Sequence, residues 1–188
     1  GKLHPVTMLI SDERQLEMLP TLPWVMGTDP TSAKEPWISR TVNEHAPDVV
    51  FTPMQTMGPG GRRYALVTTM HDLIYYTHRT PPRDLNWALR LLWRGYHLSW
   101  AFQRSLLNRA DAHLVDSQTT RSLMEKHRLT RNPMHVVLLG TEHPATKPHR
   151  SQAVDKTLVY MGSFMPYKNV DLLVTAMKDL PDYRLQLM

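Results

Sequence analysis

The sequence predicts an α/β protein built on a parallel sheet, and three observations carry that expectation. Four short, nearly continuous apolar runs, 48–52 (DVVFT), 64–70 (YALVTTM), 112–116 (AHLVD) and 134–139 (MHVVLL), have the composition of strands buried on both faces. Segments with helical spacing of apolar residues alternate with them, which implies right-handed crossover units. The same strand, turn and helix unit recurs near the C-terminus in residues 157–177, TLVYMGSFMPYKNVDLLVTAM.

The elements follow in order. Val6–Ser11 reads as a short buried strand, and Asp12–Leu19 as a short helix stopped by Pro20. Four prolines between Pro20 and Pro36 make that stretch loop-rich, after which Ser32 or Lys34 starts a helix through Trp37, Val42 and His45, ended by Pro47. Met57–Arg63 (MGPGGRR) is a flexible turn between two strands. After Pro81-Pro82, Asp84 caps one long helix that runs to Asn108. Leu85, Ala88, Leu89, Leu92, Tyr96 and Trp100 form one apolar face of it, and Trp87, Leu91, Leu98 and Phe102 a second. Arg83, Arg90, Arg94, His97 and Arg104 gather on the remaining stripe, and Gly95 permits a bend or a close contact. Such a helix is either a core helix with one solvated edge or a surface helix on an anionic membrane; the core reading is carried forward, because a helix apolar over most of its circumference is normally buried. Thr119–His127 is the next helix, with Ser117 or Thr119 as its N-cap. Residues 143–155 turn to Pro, His, Lys, Ser and Gln and read as an interdomain linker, and a new strand begins at 185–188.

The 188 residues exceed one average domain and can bury a real core. A formal net charge of +5, with pI near 9.6, favours acidic ligands or surfaces. With no cysteine there are no disulfides, thiolate catalysis or Cys-based zinc sites, and the cytosol is the favoured compartment, with peripheral contact at the inner membrane face as an option. No apolar run reaches the ~18 residues that span a bilayer. Beginning at Gly1-Lys2 and stopping where a strand has just started, the chain reads as an internal piece of a longer protein.

Lys168 is the misfit that carries chemistry. Asn169 suits an N-cap, Asp171 the first helical turn, and Val170, Leu173, Val174 and Met177 an apolar stripe. A cation beside the positive end of the helix dipole is unfavourable by about 0.3–1 kcal/mol unless an anion sits there. The lysine either points into water or belongs to a phosphate site, and the second reading is taken. The string GSFMPYKNVDLLVTA resembles the opening of the second domain of retaining glycosyltransferases of the two-Rossmann-domain (GT-B) type, family four in particular. The resemblance implies a Rossmann-like α/β fold and places Gly162, Ser163, Lys168 and Asn169 around the donor diphosphate. Ser163 stands where that family more often has arginine.

Three further motifs follow predicted strands, where open parallel sheets bind ligands. His71-Asp72 resembles the family's His-Asp pair near the transferred sugar, which makes both candidate catalytic residues. On this reading His71 hydrogen-bonds donor hydroxyls or stabilises charge in the transition state. Asp116-Ser117-Gln118-Thr119-Thr120 resembles its strand followed by a hydroxyl-rich helix start, and Gly140-Thr141-Glu142 its segment closing the first domain; Ser117 and Glu142 are therefore candidate cleft residues. No G-x-S-x-G surrounds Ser117, so a serine hydrolase is disfavoured. Ten histidines make no H-E-x-x-H, and the resemblance likewise implies transfer with no metal or other cofactor.

The expectation is thus a partial acceptor-side domain (1–143), a linker (144–156) and the start of a nucleotide-sugar domain (157–188). The parent enzyme would move a hexose from a nucleotide sugar to a hydroxyl acceptor, saccharide or lipid-linked, with retention, and the piece alone would be nearly inactive. The rivals are a basic module binding anionic lipid or nucleic acid, for which no nucleic-acid motif is visible, and a sugar-nucleotide epimerase.

Overall fold

The computed structural model describes residues 4–82, 85–140 and 156–188, and every strand pair in it is parallel. The predicted α/β, Rossmann-like class is what is found. The chain forms two compact units, residues 1–73 with 100–139, and residues 74–99 with 140–188.

In the first unit, β1 (Met8–Ile10) pairs with β2 (Trp24–Met26). Strand β2 lies in the stretch expected to be loop: three residues between Pro23 and Gly27 are too short to show a period, and only the pairing with β1 defines them. Between them, Glu13–Glu17 is a 3₁₀ turn closed by a capping box of Asp12 and Gln15. A 3₁₀ turn at Glu35–Trp37 leads into α1 (Ile38–Glu44), which ends before Ala46, in the left-handed region at φ 45°, and Pro47. Then β3 (Val49–Phe51), β4 (Ala65–Met70), β5 (Ala112–Val115) and β6 (Met134–Val136) form one sheet in sequence order. Its core includes Leu66, Met70, Leu107, Val115, Met124 and Leu129, all nearly or wholly buried.

The segment expected as one helix is two, α3 (Trp87–Leu98) and α4 (Trp100–Leu107), and a short helix, α2 (Ile74–Thr77), precedes them. The break falls at Ser99, whose extended backbone (φ −128°, ψ 134°) ends α3, whereas Gly95 has open space where a Cβ would lie. Asn86 caps α3 by accepting from the Leu89 N–H, and Asp84 lies outside the described residues. In the first unit, α4 buries Gln103 and Leu107, stacks Trp100 on His127 at 4.3 Å, and sends the Arg104 guanidinium to the His127 and Arg128 carbonyls. Those carbonyls close α5 (Gln118–Lys126), a helix end that favours a cation, so the exposed Arg104 also ties α4 to that end.

The core-helix expectation fails for α3. Its buried side carries His97, with Arg90, Trp93 and Tyr96 half-buried, while Trp87, Leu91, Leu92 and Leu98 face solvent. His97 is enclosed by the rings of Trp93, Tyr96, Tyr76 and Tyr75, at centroid distances from 4.0 to 5.9 Å, and burial holds its pKa below the ordinary value. Periodicity had placed it on the wet stripe; tertiary neighbours reversed the helix's inside and outside.

In the second unit, β7 (Thr157–Tyr160) pairs with β8 (Arg184–Leu187), and between them lie a 3₁₀ turn (Pro166–Lys168) and α6 (Val170–Ala176).

Candidate functional site

Ladder register builds the site. Met70 at the end of β4 pairs with Val115 at the end of β5, so the next residues, His71 and Asp116, emerge side by side at the carboxyl edge of the sheet. The His71 Nδ1 lies 3.0 Å from Asp116 Oδ2, and its Nε2 lies 2.9 Å from the Pro53 carbonyl in the loop after β3. Both partners are acceptors, an arrangement that favours the doubly protonated ring. The hydrogen bond to Asp116 is the main cause of a raised His71 pKa; burial opposes it, and the Pro53 carbonyl and the charges of Asp116 and Asp72 add to it. The protonated form of His71 is thus favoured and held at both nitrogens, with the side chain half exposed. Asp72, the other candidate catalytic residue, is exposed.

Ser117 caps α5: its Oγ accepts from the Thr120 N–H at 3.1 Å and donates to Thr120 Oγ1 at 2.9 Å. Thr120 Oγ1 donates in turn to the His71 carbonyl at 2.9 Å, tying the helix start to the histidine's own backbone. Asp116 and Pro53 were not among the candidates read from sequence. Their signal was present for Asp116 alone: it follows its strand as His71 follows the neighbouring one.

The second group of candidates sits in the turn after β7. Gly162 adopts φ 145°, a conformation for which glycine is suited, and the Tyr160 hydroxyl donates to the Ser163 carbonyl at 2.8 Å. Asn169 is at the N-cap position of α6 but in the left-handed region (φ 52°, ψ 41°), without the expected side-chain cap. Its carbonyl accepts from the Leu172 N–H instead. The Lys168 Nζ lies 5.3 Å from the Tyr167 ring centroid, and among the described residues no carboxylate pairs with it. Within the same unit the Tyr167 ring lies against Tyr75 (6.1 Å) and His78 (6.0 Å). Gly140 is exposed, and Glu142 and almost all of the expected linker lie outside the described residues.

A concavity of about 630 Å³ lies at the opposite edge of the sheet from His71. Asn43, Asp48, Arg62, Tyr64 and Asp111 line it at the amino ends of β3, β4 and β5, the edge that open parallel sheets do not use for ligands. Arg62 and Asp111 pair there at 2.7 Å, and Asp111 also accepts from the Leu66 N–H, so this edge is a structural clasp. Another histidine near the sheet is likewise structural. His113, fully buried within β5, lies 2.8 Å from Thr68 Oγ1 and 3.1 Å from Thr130 Oγ1, and burial lowers its pKa.

The family model for Glycosyltransferase Family 4 matches residues 16–143, more than half of the chain and the region that contains the His71–Asp116 pair. The chain belongs to glycosyltransferase family 4. Glycosyl transfer is therefore its activity class, with a sugar donor and an acceptor as substrates. The match begins far upstream of the motifs read from sequence and ends before the Lys168 turn. Comparison with curated proteins finds no match.

Proposed function

We propose that this family 4 protein moves a hexose from a nucleotide sugar to a hydroxyl acceptor with retention of anomeric configuration. The observation that carries the reading is the doubly hydrogen-bonded His71 at the carboxyl edge, a positive charge fixed before substrate arrives. Such preorganised charge stabilises negative charge developing on a departing diphosphate without reorganisation in the transition state. Lys168, Ser163 and Asn169 hold the diphosphate, and Gly162 lets the backbone approach it closely. Asp116 acts as a positioning residue for His71, and Asp72 adds negative charge beside it. Ser117, already capping α5, orients the wall of the site.

Incubation with labelled UDP-, GDP- and ADP-hexoses and a panel of hydroxyl acceptors tests the reading, with the product's anomeric coupling constant reporting retention. His71→Gln keeps the size and part of the hydrogen bonding but loses the charge, and lowers transfer about 100-fold. Turnover equal to the parent's, or an inverted anomer, would overturn it.

A further inference from the structure

We infer that α3 is a membrane-docking element whose outer face lies on the surface of a bilayer carrying anionic lipid. At 3.6 residues per turn, Ala88, Leu91, Leu92 and Gly95 lie on the side away from the buried His97, and Trp87 and Leu98 continue that face along one flank. Four of these are large apolar side chains exposed to solvent by 80% (Trp87), 67% (Leu91), 70% (Leu92) and 65% (Leu98). A contiguous apolar patch of this kind, with a tryptophan almost wholly in water, marks an interaction surface.

Charge selects the partner. None of residues 85–110 is acidic, and Arg90 and Arg94 belong to α3 itself. The exposed Arg94 lies two turns from Trp87, on the margin of the apolar face. Apolar area bordered by arginine and tryptophan, with no carboxylate, is the composition that partitions into the interfacial zone of anionic membranes. Self-association through the same face would bring copies of Arg94 together, which like charge opposes. The exposed apolar residues of α6, Leu172 and Leu173, differ in just this respect, since Asp171 stands in that helix's first turn. At 12 residues α3 is far too short to cross a bilayer, so it lies flat, and among the described residues no helix is long and apolar enough to span one.

Flotation of the full chain with phosphatidylcholine vesicles, with and without phosphatidylglycerol, tests this. The expected result is co-flotation with the anionic vesicles that weakens as salt is raised. Leu91→Gln/Leu92→Gln lowers partition at least about tenfold, because apolar area drives insertion. Arg94→Gln weakens binding to the anionic vesicles alone, about fivefold. Leu172→Gln leaves flotation unchanged. Circular dichroism verifies that each variant is folded; should the double variant not fold, Arg94→Gln and the salt series decide. A chain that stays in the soluble fraction with both vesicle types overturns the inference. So does a double variant that floats like the parent, or a dimer by light scattering that the double variant dissolves while vesicles bind neither protein.

Discussion

Replacing Asp116 by Asn removes the main partner of the His71 imidazolium while keeping size and polarity. Nδ1 and Oδ2 are 3.0 Å apart, with the histidine side chain 50% exposed and the aspartate 15% exposed. A well-shielded charged hydrogen bond contributes about 1.5–3 kcal/mol, an exposed ion pair about 0.2–1. Solvent screening at the half-exposed ring puts this pair near the top of the lower range, about 1 kcal/mol, or about 2–4 °C in melting temperature for a chain of this size. The sign follows from linkage. Folding raises the His71 pKa, so the contribution is fully present below the unfolded value near 6.5 and is lost as pH rises through the folded pKa. The melting gap between parent and Asp116→Asn is therefore widest at pH about 5.5–6 and closes in the alkaline range. Thermal denaturation across pH, with NMR titration of the His71 ring, measures both quantities. A gap that widens toward alkaline pH, or a His71 ring that titrates at or below 6.5 in the parent, would refute the reasoning.

Other outcomes follow from the same geometry. Lys168→Ala weakens binding of a nucleotide-sugar donor by about 10–100-fold, the range of one charge-assisted contact, as read by calorimetry. Thr68→Val deprives the buried His113 of the hydroxyl at Nδ1 and costs about 1–3 kcal/mol in denaturant unfolding. Because His113 is held neutral by burial, the unfolded chain takes up that proton first, and stability falls as pH drops below 6.5; in NMR His113 stays neutral where His71 is already charged. At Gly58, an added Cβ would collide with the backbone of Glu35 and Pro36, so Gly58→Ala destabilises by about 1–3 kcal/mol despite being a small change. A melting temperature unchanged by that substitution would mean the loop does not pack there.

The strands were legible because a residue run such as ALVTTM needs both faces covered, and only a parallel sheet beneath helices covers them. Ser117 was legible as a cap, since its hydroxyl acts within three residues of its own position. The strand, turn and helix around Lys168 were legible for the same reason, since their signals lie within a few residues of one another. Less local features were misread. Asn169 sits at the N-cap position, yet with a left-handed backbone and no side-chain cap, and the three residues of β2 offered no period at all.

Sequence alone determined the class of fold and the residues that follow the longer strand runs, because these arise from composition and spacing along the chain. Tertiary structure decided that His71 meets Asp116, 45 positions away, since ladder register and not sequence distance brings strand ends together. It also decided which side of α3 is wet: helical periodicity reveals a stripe, but only the rings around His97 determine which stripe turns inward.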